Sequence, residues 1–168
     1  MGSASLPPAL KTSPRFIFFT DFDGTITQQD SNDLMTDELG FGAALRRAGN
    51  AEVLAGRRAF NDAFREMMHS VTLPFDQCIE FLLARVQLDD GFREFYAWCR
   101  AENVPVVVLS GGMGPIIRAL LGRFLGEEGL AGLEIVSNGV EVAEDGQWEI
   151  LFHDERCVLH FVFNPGYC

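Results

Sequence analysis

At 168 residues with 48% hydrophobic content, the chain is long enough to bury the core of one ordinary domain plus a modest insertion, which excludes a disordered tail. Its formal charge of −11, from 13 basic and 24 acidic residues, repels nucleic-acid backbones and anionic membrane surfaces, so neither is expected as a partner. An anionic substrate binds only where local amides or a divalent cation override that field.

In chain order, the opening MGSASLPPALKTSPR is polar and rich in Pro and Ser, and residues 1–14 read as a loose arm. The apolar run beside it, FIFF, is too short for a signal core or a membrane span. Leu6 stands where a myristoylation signal wants Ser or Thr, so no lipid anchor is expected. RFIFFT, residues 15–20, predicts a buried strand stopping at an Asp-Phe-Asp-Gly turn. From Asp30 to about Ala101 the apolar residues take helical spacing, as in Phe60, Phe64, Met67 and Met68, with Gly and Pro breaks that predict several short helices. Pro105 opens a second apolar strand that stops at Ser110-Gly111-Gly112. Pro115 then starts an apolar helix, PIIRALLGRFL, closed by Gly126. A third strand, residues 133–137, precedes an Asn138-Gly139 turn, and GVEVAEDGQWEILF has the alternation and Asp145-Gly146 centre of a β-hairpin. Near-continuous apolar strands separated by helices predict an α/β fold with a parallel sheet, whose ligands bind at the carboxyl ends of the strands. Cys78, Cys99, Cys157 and Cys168 form no C-x-x-C pair, so reduced thiols and a cytoplasmic location are expected, with the nucleus as the alternative.

Both informative loops, Asp21 to Thr25 and Ser110 to Gly112, fall at such strand ends. Two carboxylates one residue apart can take different jobs there, because a sharp turn at Gly24 lets Asp23 curl back towards the cavity that Asp21 faces. Asp21 would attack phosphorus, and Asp23 would give a proton to the leaving oxygen and later take one from water. That assignment needs the Asp23 pKa raised relative to Asp21, by partial burial and by the like charge of Asp21. Oxygen ligands from Asp21 and a backbone carbonyl suit Mg2+. Ser110, Gly111 and Gly112 supply a hydroxyl and close amides ahead of a helix N-terminus, an anion cradle in kind. A D-x-D-G-T string arises by chance in a chain this long on the order of once in several hundred sequences, so a plain turn is the weaker reading. Ser-Gly-Gly alone is as often an ordinary loop, and gains weight only from its strand-to-helix context. The phenylalanines and Met67-Met68 read as packing. His69, His153 and His160 show no metal-ligand spacing and take no role.

FIFFTDFDGTIT resembles the first signature of the haloacid-dehalogenase superfamily, and VVVLSGGM resembles its second. DFDGTITQQDSNDLMTDELGFG, Thr72 to Phe75, Leu88 to Phe92 and IVSNGVEV with QWEI resemble a fungal group of small-molecule phosphatases related to polyol phosphatases. The resemblance covers about residues 15–156. It implies a Rossmann-like core over 15–27 and 102–156 and a helical cap over 28–101, as in the phosphoserine-phosphatase-like branch. It also implies Asp21 as nucleophile, Asp23 as acid/base and backbone metal ligand, Thr25 as support for Asp23, and Ser110 with Gly111 as phosphate binders. Small phosphorylated metabolites of the sugar or polyol type follow as the substrate class, with Mg2+ as cofactor. Asn32 and Asp33, just after the first signature, are candidates for selecting the leaving group.

The family pattern continues into a third-signature lysine and a fourth-signature acidic pair. The single lysine here is Lys11, ahead of the first strand and so beyond its opposite end from Asp21, the strand over 15–20 alone being about 20 Å long at roughly 3.3 Å per residue. After His153-Asp154-Glu155 the sequence runs through Arg156 into CVLHFVFNPGYC, an atypical tail over 157–168 with neither acid nor lysine. A planar guanidinium such as that of Arg156 replaces a point ammonium poorly. Activity is therefore expected to be impaired, by on the order of 10² to 10³ for a lost charge-stabilising group. An apolar sheet edge is expected too, covered by VLHFVF or prone to aggregate. The rival reading is a catalytically silent, truncated fragment that at most binds phosphate or a protein. A phospho-accepting receiver places its acidic pair differently, and dehalogenation leaves Asp23 without a purpose.

Overall fold

A computed structural model describes residues 13–153. Lys11, Asp154, Glu155, Arg156 and the 157–168 tail, with the expectations attached to them, lie outside the described residues. The elements run β1 (Phe18–Thr20), α1 (Ser31–Leu39), α2 (Ala43–Leu54), α3 (Phe60–His69), α4 (Phe75–Arg85), α5 (Phe92–Ala101), β2 (Val106–Met113), α6 (Gly114–Ala131), β3 (Glu134–Val142) and β4 (Trp148–Leu151). The sheet has the order β1-β2-β3-β4, with β1–β2 and β2–β3 parallel and β3–β4 antiparallel. This is the α/β architecture expected from the sequence, including the hairpin, in which Val142 faces Trp148 across the turn.

Local chemistry accounts for the elements that position the strand-end loops. Asp30 caps α1, its Oδ1 accepting from the amides of Asn32 at 2.9 Å and Asp33 at 2.8 Å. The two ends of the four-helix segment α1–α4 are tied together: Gln28 N donates to Gln87 O and Asp89 N to Ile26 O, around a bridge between Thr27 and Leu88. One hydrophobic cluster joins the helices to the sheet, with Met35, Phe64 and Met68 in the same core as Phe22, Val108, Ile117 and Leu121. Trp148 of β4 packs on Phe75 at 5.2 Å and donates its Nε1–H to Leu73 O. Cys78 and Cys99 are free and buried, and burial pushes the Cys78 thiol up to about 11, so it is no nucleophile near neutral pH. Among the described residues, no helix is long and apolar enough to cross a membrane.

Three local expectations are corrected. The first strand is not buried: β1 is three residues long at the sheet edge, and Phe16, Phe18 and Phe19 are exposed, because β2 covers only one side of it. The second strand does not stop at Ser110 but continues through an irregular stretch to Met113. Asn138-Gly139 is no turn, since Asn138 pairs with Met113 and Gly139 with Leu151, and two ladders override the dipeptide's preference. The helix begun at Pro115 closes at Gly126 as expected, where the backbone leaves helical geometry at φ 71°, and a second short helical stretch continues α6 to Ala131.

Arg46 fastens α2 to α1. Its Nε and Nη2 reach both oxygens of Asp37 at 2.7 and 2.8 Å, and its Nη1 reaches Asp33 Oδ2 at 2.6 Å. Arg46→Ala is expected to cost about 2–3 kcal/mol, below the value for a fully buried pair because the carboxylates are partly exposed. The urea midpoint checks this; a change under a few tenths of a kcal/mol would make the pair ornamental.

Candidate active site

Asp21 directly follows β1, and its Oδ1 accepts from the Phe22 amide at 2.7 Å. The chain then turns sharply: the amides of Thr25, Ile26 and Thr27 converge on the Phe22 carbonyl, and Gly24 takes φ 70°, a conformation that favours glycine. Thr27 secures the turn by donating its hydroxyl to Phe22 O and Gln29 O. Phe22, buried completely, anchors it below. Asp23 is thereby carried back towards α1, where Oδ1 accepts from Ser31 N at 2.7 Å and Oδ2 from Asn32 Nδ2 at 3.0 Å.

The second wall comes from the irregular stretch of β2. Leu109 pairs with Val136 and Met113 with Asn138, four steps along β2 against two along β3, so Ser110, Gly111 and Gly112 stand opposite the single Ser137 and bulge from the ladder. Gly112 N donates to Ser110 Oγ at 3.0 Å, which leaves the Ser110 hydroxyl proton for another acceptor. Asn138 clamps the bulge from β3: its Nδ2 donates to Gly111 O at 2.7 Å, and its Oδ1 accepts from His153 N at 2.9 Å. A Cβ on Gly112 would lie 3.1 Å from Asp23 Oδ2, 3.2 Å from Asn32 Nδ2 and 3.2 Å from Ser110 Oγ, which shows how closely the two loops meet.

Asp21, Asp23, Ser110, Gly111 and Gly112 all line one cavity of about 850 Å3 at the carboxyl ends of β1, β2 and β3. Thr25 does not line it: that residue is exposed, and the hydrogen bonds to Asp23 come from Ser31 and Asn32 instead. Asn32 lines the cavity but supports Asp23, a part the sequence did not assign to it. Asn138, Ser31 and the charge of Asp30 were also missed; only Asp30 had a local signal, the Asp-Ser-Asn-Asp string of a helix start. His153 also lines the cavity.

The electrostatics separate the two carboxylates. Asp23 is pushed up to about 6, first by burial, next by the charge of Asp30, and least by Asp21, so Asp30 rather than Asp21 is the main like charge. Asp33 is raised to about 6 by burial and Asp30, with Arg46 opposing. The lining holds four carboxylates, Asp21, Asp23, Asp30 and Asp33, and among the described residues no arginine or lysine. Hard oxygen donors are present for a cation in the Asp21 carboxylate and the Asp23 carbonyl, which the turn's amides bypass. Among the described residues, no three or more His, Cys, Asp and Glu side chains are so placed that they could together hold a metal ion. Such a set fits Mg2+, which keeps several waters and typically takes one or two carboxylates plus substrate phosphate.

Residues 18–158 match the family described as haloacid dehalogenase-like hydrolase. The chain is 49% identical over 142 residues to Pdp3-interacting factor 1 of Schizosaccharomyces pombe, covering 84% of this chain and 62% of that protein. It is 45% identical over 144 residues to polyol phosphate phosphatase PYP1 of Saccharomyces cerevisiae, covering 86% of this chain and 60% of that protein. It therefore spans about three fifths of the length of these relatives. A substrate-bound phosphoserine phosphatase shares the fold, with a TM-score of 0.64 at 19% identity over 83% of this chain and 64% of that one.

Proposed function

The chain belongs to the haloacid dehalogenase-like hydrolase family, and from that premise we propose that it is built for Mg2+-dependent hydrolysis of phosphate monoesters of small metabolites, of the sugar or polyol kind, through an aspartyl-phosphate. The observation that carries this reading is the pairing of an exposed Asp21 with a half-buried Asp23 raised to about 6, both on one cavity. Asp21 Oδ1 is held by Phe22 N, which leaves Oδ2 to attack phosphorus. As that bond forms and the ester P–O bond breaks, Asp23 gives its proton to the leaving oxygen. The resulting Asp23 carboxylate then takes a proton from the water that attacks the aspartyl-phosphate, releasing phosphate and restoring Asp21. Ser110 and the Gly111 backbone would hold the non-transferring oxygens. Mg2+, on the Asp21 carboxylate and the Asp23 carbonyl, would supply charge neutralisation between carboxylate and phosphate. The segment 28–101 would choose the substrate, since it contributes Asp33, Asn50, Phe60, Phe64 and Met67 to the cavity. Buried reduced thiols suit a cytoplasmic or nuclear setting.

A second reading, binding of a phosphate ester without turnover, is favoured by the lack of arginine and lysine among the described lining residues. Hydrolysis of an aryl phosphate by the purified chain, with Mg2+ and with a chelator, separates the two. Chelator-sensitive turnover supports the hydrolase; phosphate binding by folded protein without turnover supports the binder.

Gly112→Ala tests the closeness of the two loops. The new methyl must displace Asp23, Asn32 or Ser110 by a few tenths of an ångström. The expected result is a loss of kcat/KM on the order of tenfold with little change in melting temperature. An unaltered rate would mean that Asp23 and Ser110 do not cooperate.

A further inference from the structure

The part of the cavity away from the reacting centre is chemically one-sided. Asp33 stands on its wall with Asn50 as a neutral polar neighbour and with Phe60, Phe64, Met67 and Phe152 as apolar surface. Arg46, the cation that reaches this wall, is only 9% exposed and already committed. Two of its nitrogens are taken by Asp37 and a third by Asp33 Oδ2. That pairing fixes the Asp33 carboxylate in place and cancels the guanidinium as a counter-charge for anything bound. Asp30 adds a further negative charge, its Oδ1 occupied by the α1 amides. Among the described lining residues, His153 is the one basic side chain.

A leaving group must lie in this space once its phosphate sits between Asp21 and Ser110. A hydroxyl can donate to a fixed carboxylate, and C–H surfaces can rest on the phenylalanines. A carboxylate can only accept, so it would face Asp33 and Asp30 with no arginine or lysine in the described lining to offset the repulsion. We infer that Asp33, held by Arg46, is a specificity-determining residue that admits phosphate esters of uncharged polyhydroxylated alcohols and rejects those whose leaving group carries a carboxylate. The inference rests on the phosphatase reading and adds to it a residue and a rejected class.

The test uses the full chain with Asp21→Asn, which keeps an oxygen ligand but cannot turn over, in Mg2+ at mildly alkaline pH. Calorimetry measures binding of terminal glycerol phosphate and of phosphoglycerate, the same three-carbon skeleton with the far hydroxymethyl replaced by a carboxylate. Glycerol phosphate is expected to bind on the order of 10- to 100-fold tighter. Adding Asp33→Asn should bring the two affinities to within about threefold by weakening glycerol phosphate and strengthening phosphoglycerate, while Asp33→Glu should restore the preference. A general structural role would weaken both esters together and leave their ratio unchanged. Asp33→Asn keeps Arg46 paired with Asp37, so circular dichroism should show an intact fold. Equal binding by the Asp21→Asn chain, or a ratio that survives Asp33→Asn, overturns the inference and leaves the phosphatase reading standing. Failure to bind either ester or inorganic phosphate overturns both.

Discussion

Asp21→Asn is expected to abolish Mg2+-dependent hydrolysis, by on the order of 10³-fold or more relative to the unsubstituted chain, without lowering its stability. An amide oxygen does not displace an alkoxide from phosphorus, and nothing else in the described lining offers a carboxylate in the same setting: Asp23 has both oxygens engaged, Asp30 caps α1 and Asp33 is paired with Arg46. Stability should be preserved because Asp21 is exposed, and the one hydrogen bond to its side chain among the described residues, from Phe22 N to Oδ1, can be accepted equally well by an asparagine oxygen. Steady-state hydrolysis with and without chelator measures the first part, and thermal unfolding the second. Acid-quenched protein incubated with labelled phosphate ester should carry the label on Asp21, and the variant should carry none. Undiminished turnover by the variant would place the nucleophile elsewhere and dissolve the assigned roles of both carboxylates.

The strand-end chemistry was readable because it is local. Asp21, Asp23 and Gly24 sit within four residues, and the turn needs only the φ of Gly24 and the hydrogen bonds gathered by Phe22 O. Parallel strands were readable from near-continuous valine and phenylalanine runs, and the hairpin from its alternation about Asp145-Gly146. What failed depended on partners distant in sequence. Asn138 clamps Gly111 from 27 residues away, and the slip that makes Ser110 to Gly112 a bulge exists only once β2 is aligned with β3. The apolar run FIFF does not say whether its strand will have one neighbour or two, and among the described residues β1 has one. Thr25 was assigned to Asp23 from the family pattern, whereas the α1 amide of Ser31 and the side chain of Asn32 fill that place. The raised pKa of Asp23 was expected, but its second-ranked cause, Asp30, required knowing that α1 would start beside it.

Asp23→Asn is expected to lower hydrolysis of an alkyl phosphate by about 10²- to 10⁴-fold, and to affect an aryl phosphate far less, because an alkoxide needs a proton to leave and a phenolate needs little help. With Asp23 near 6, kcat/KM for the alkyl ester should decline as pH rises through about 6, as the acid form is lost. The variant's profile should be flat across that range. Stability should shift in a linked way. The folded-state value lies above the ordinary 3.8, so between about 4 and 6 the native state holds more protons than the unfolded state, and raising pH through that window destabilises the fold. Above about 6 the full cost of ionising a half-buried group is present, and removing the carboxylate relieves it. Asn32 can turn its amide to present an oxygen to the new asparagine, so the local hydrogen bonds have a way to persist. The urea midpoint of Asp23→Asn, compared with that of the parent chain, should therefore be more favourable at neutral pH than in mild acid. A variant whose advantage is the same at both would show that Asp23 is ionised normally in the fold, and its assignment as the acid would fall with the raised pKa on which it depends.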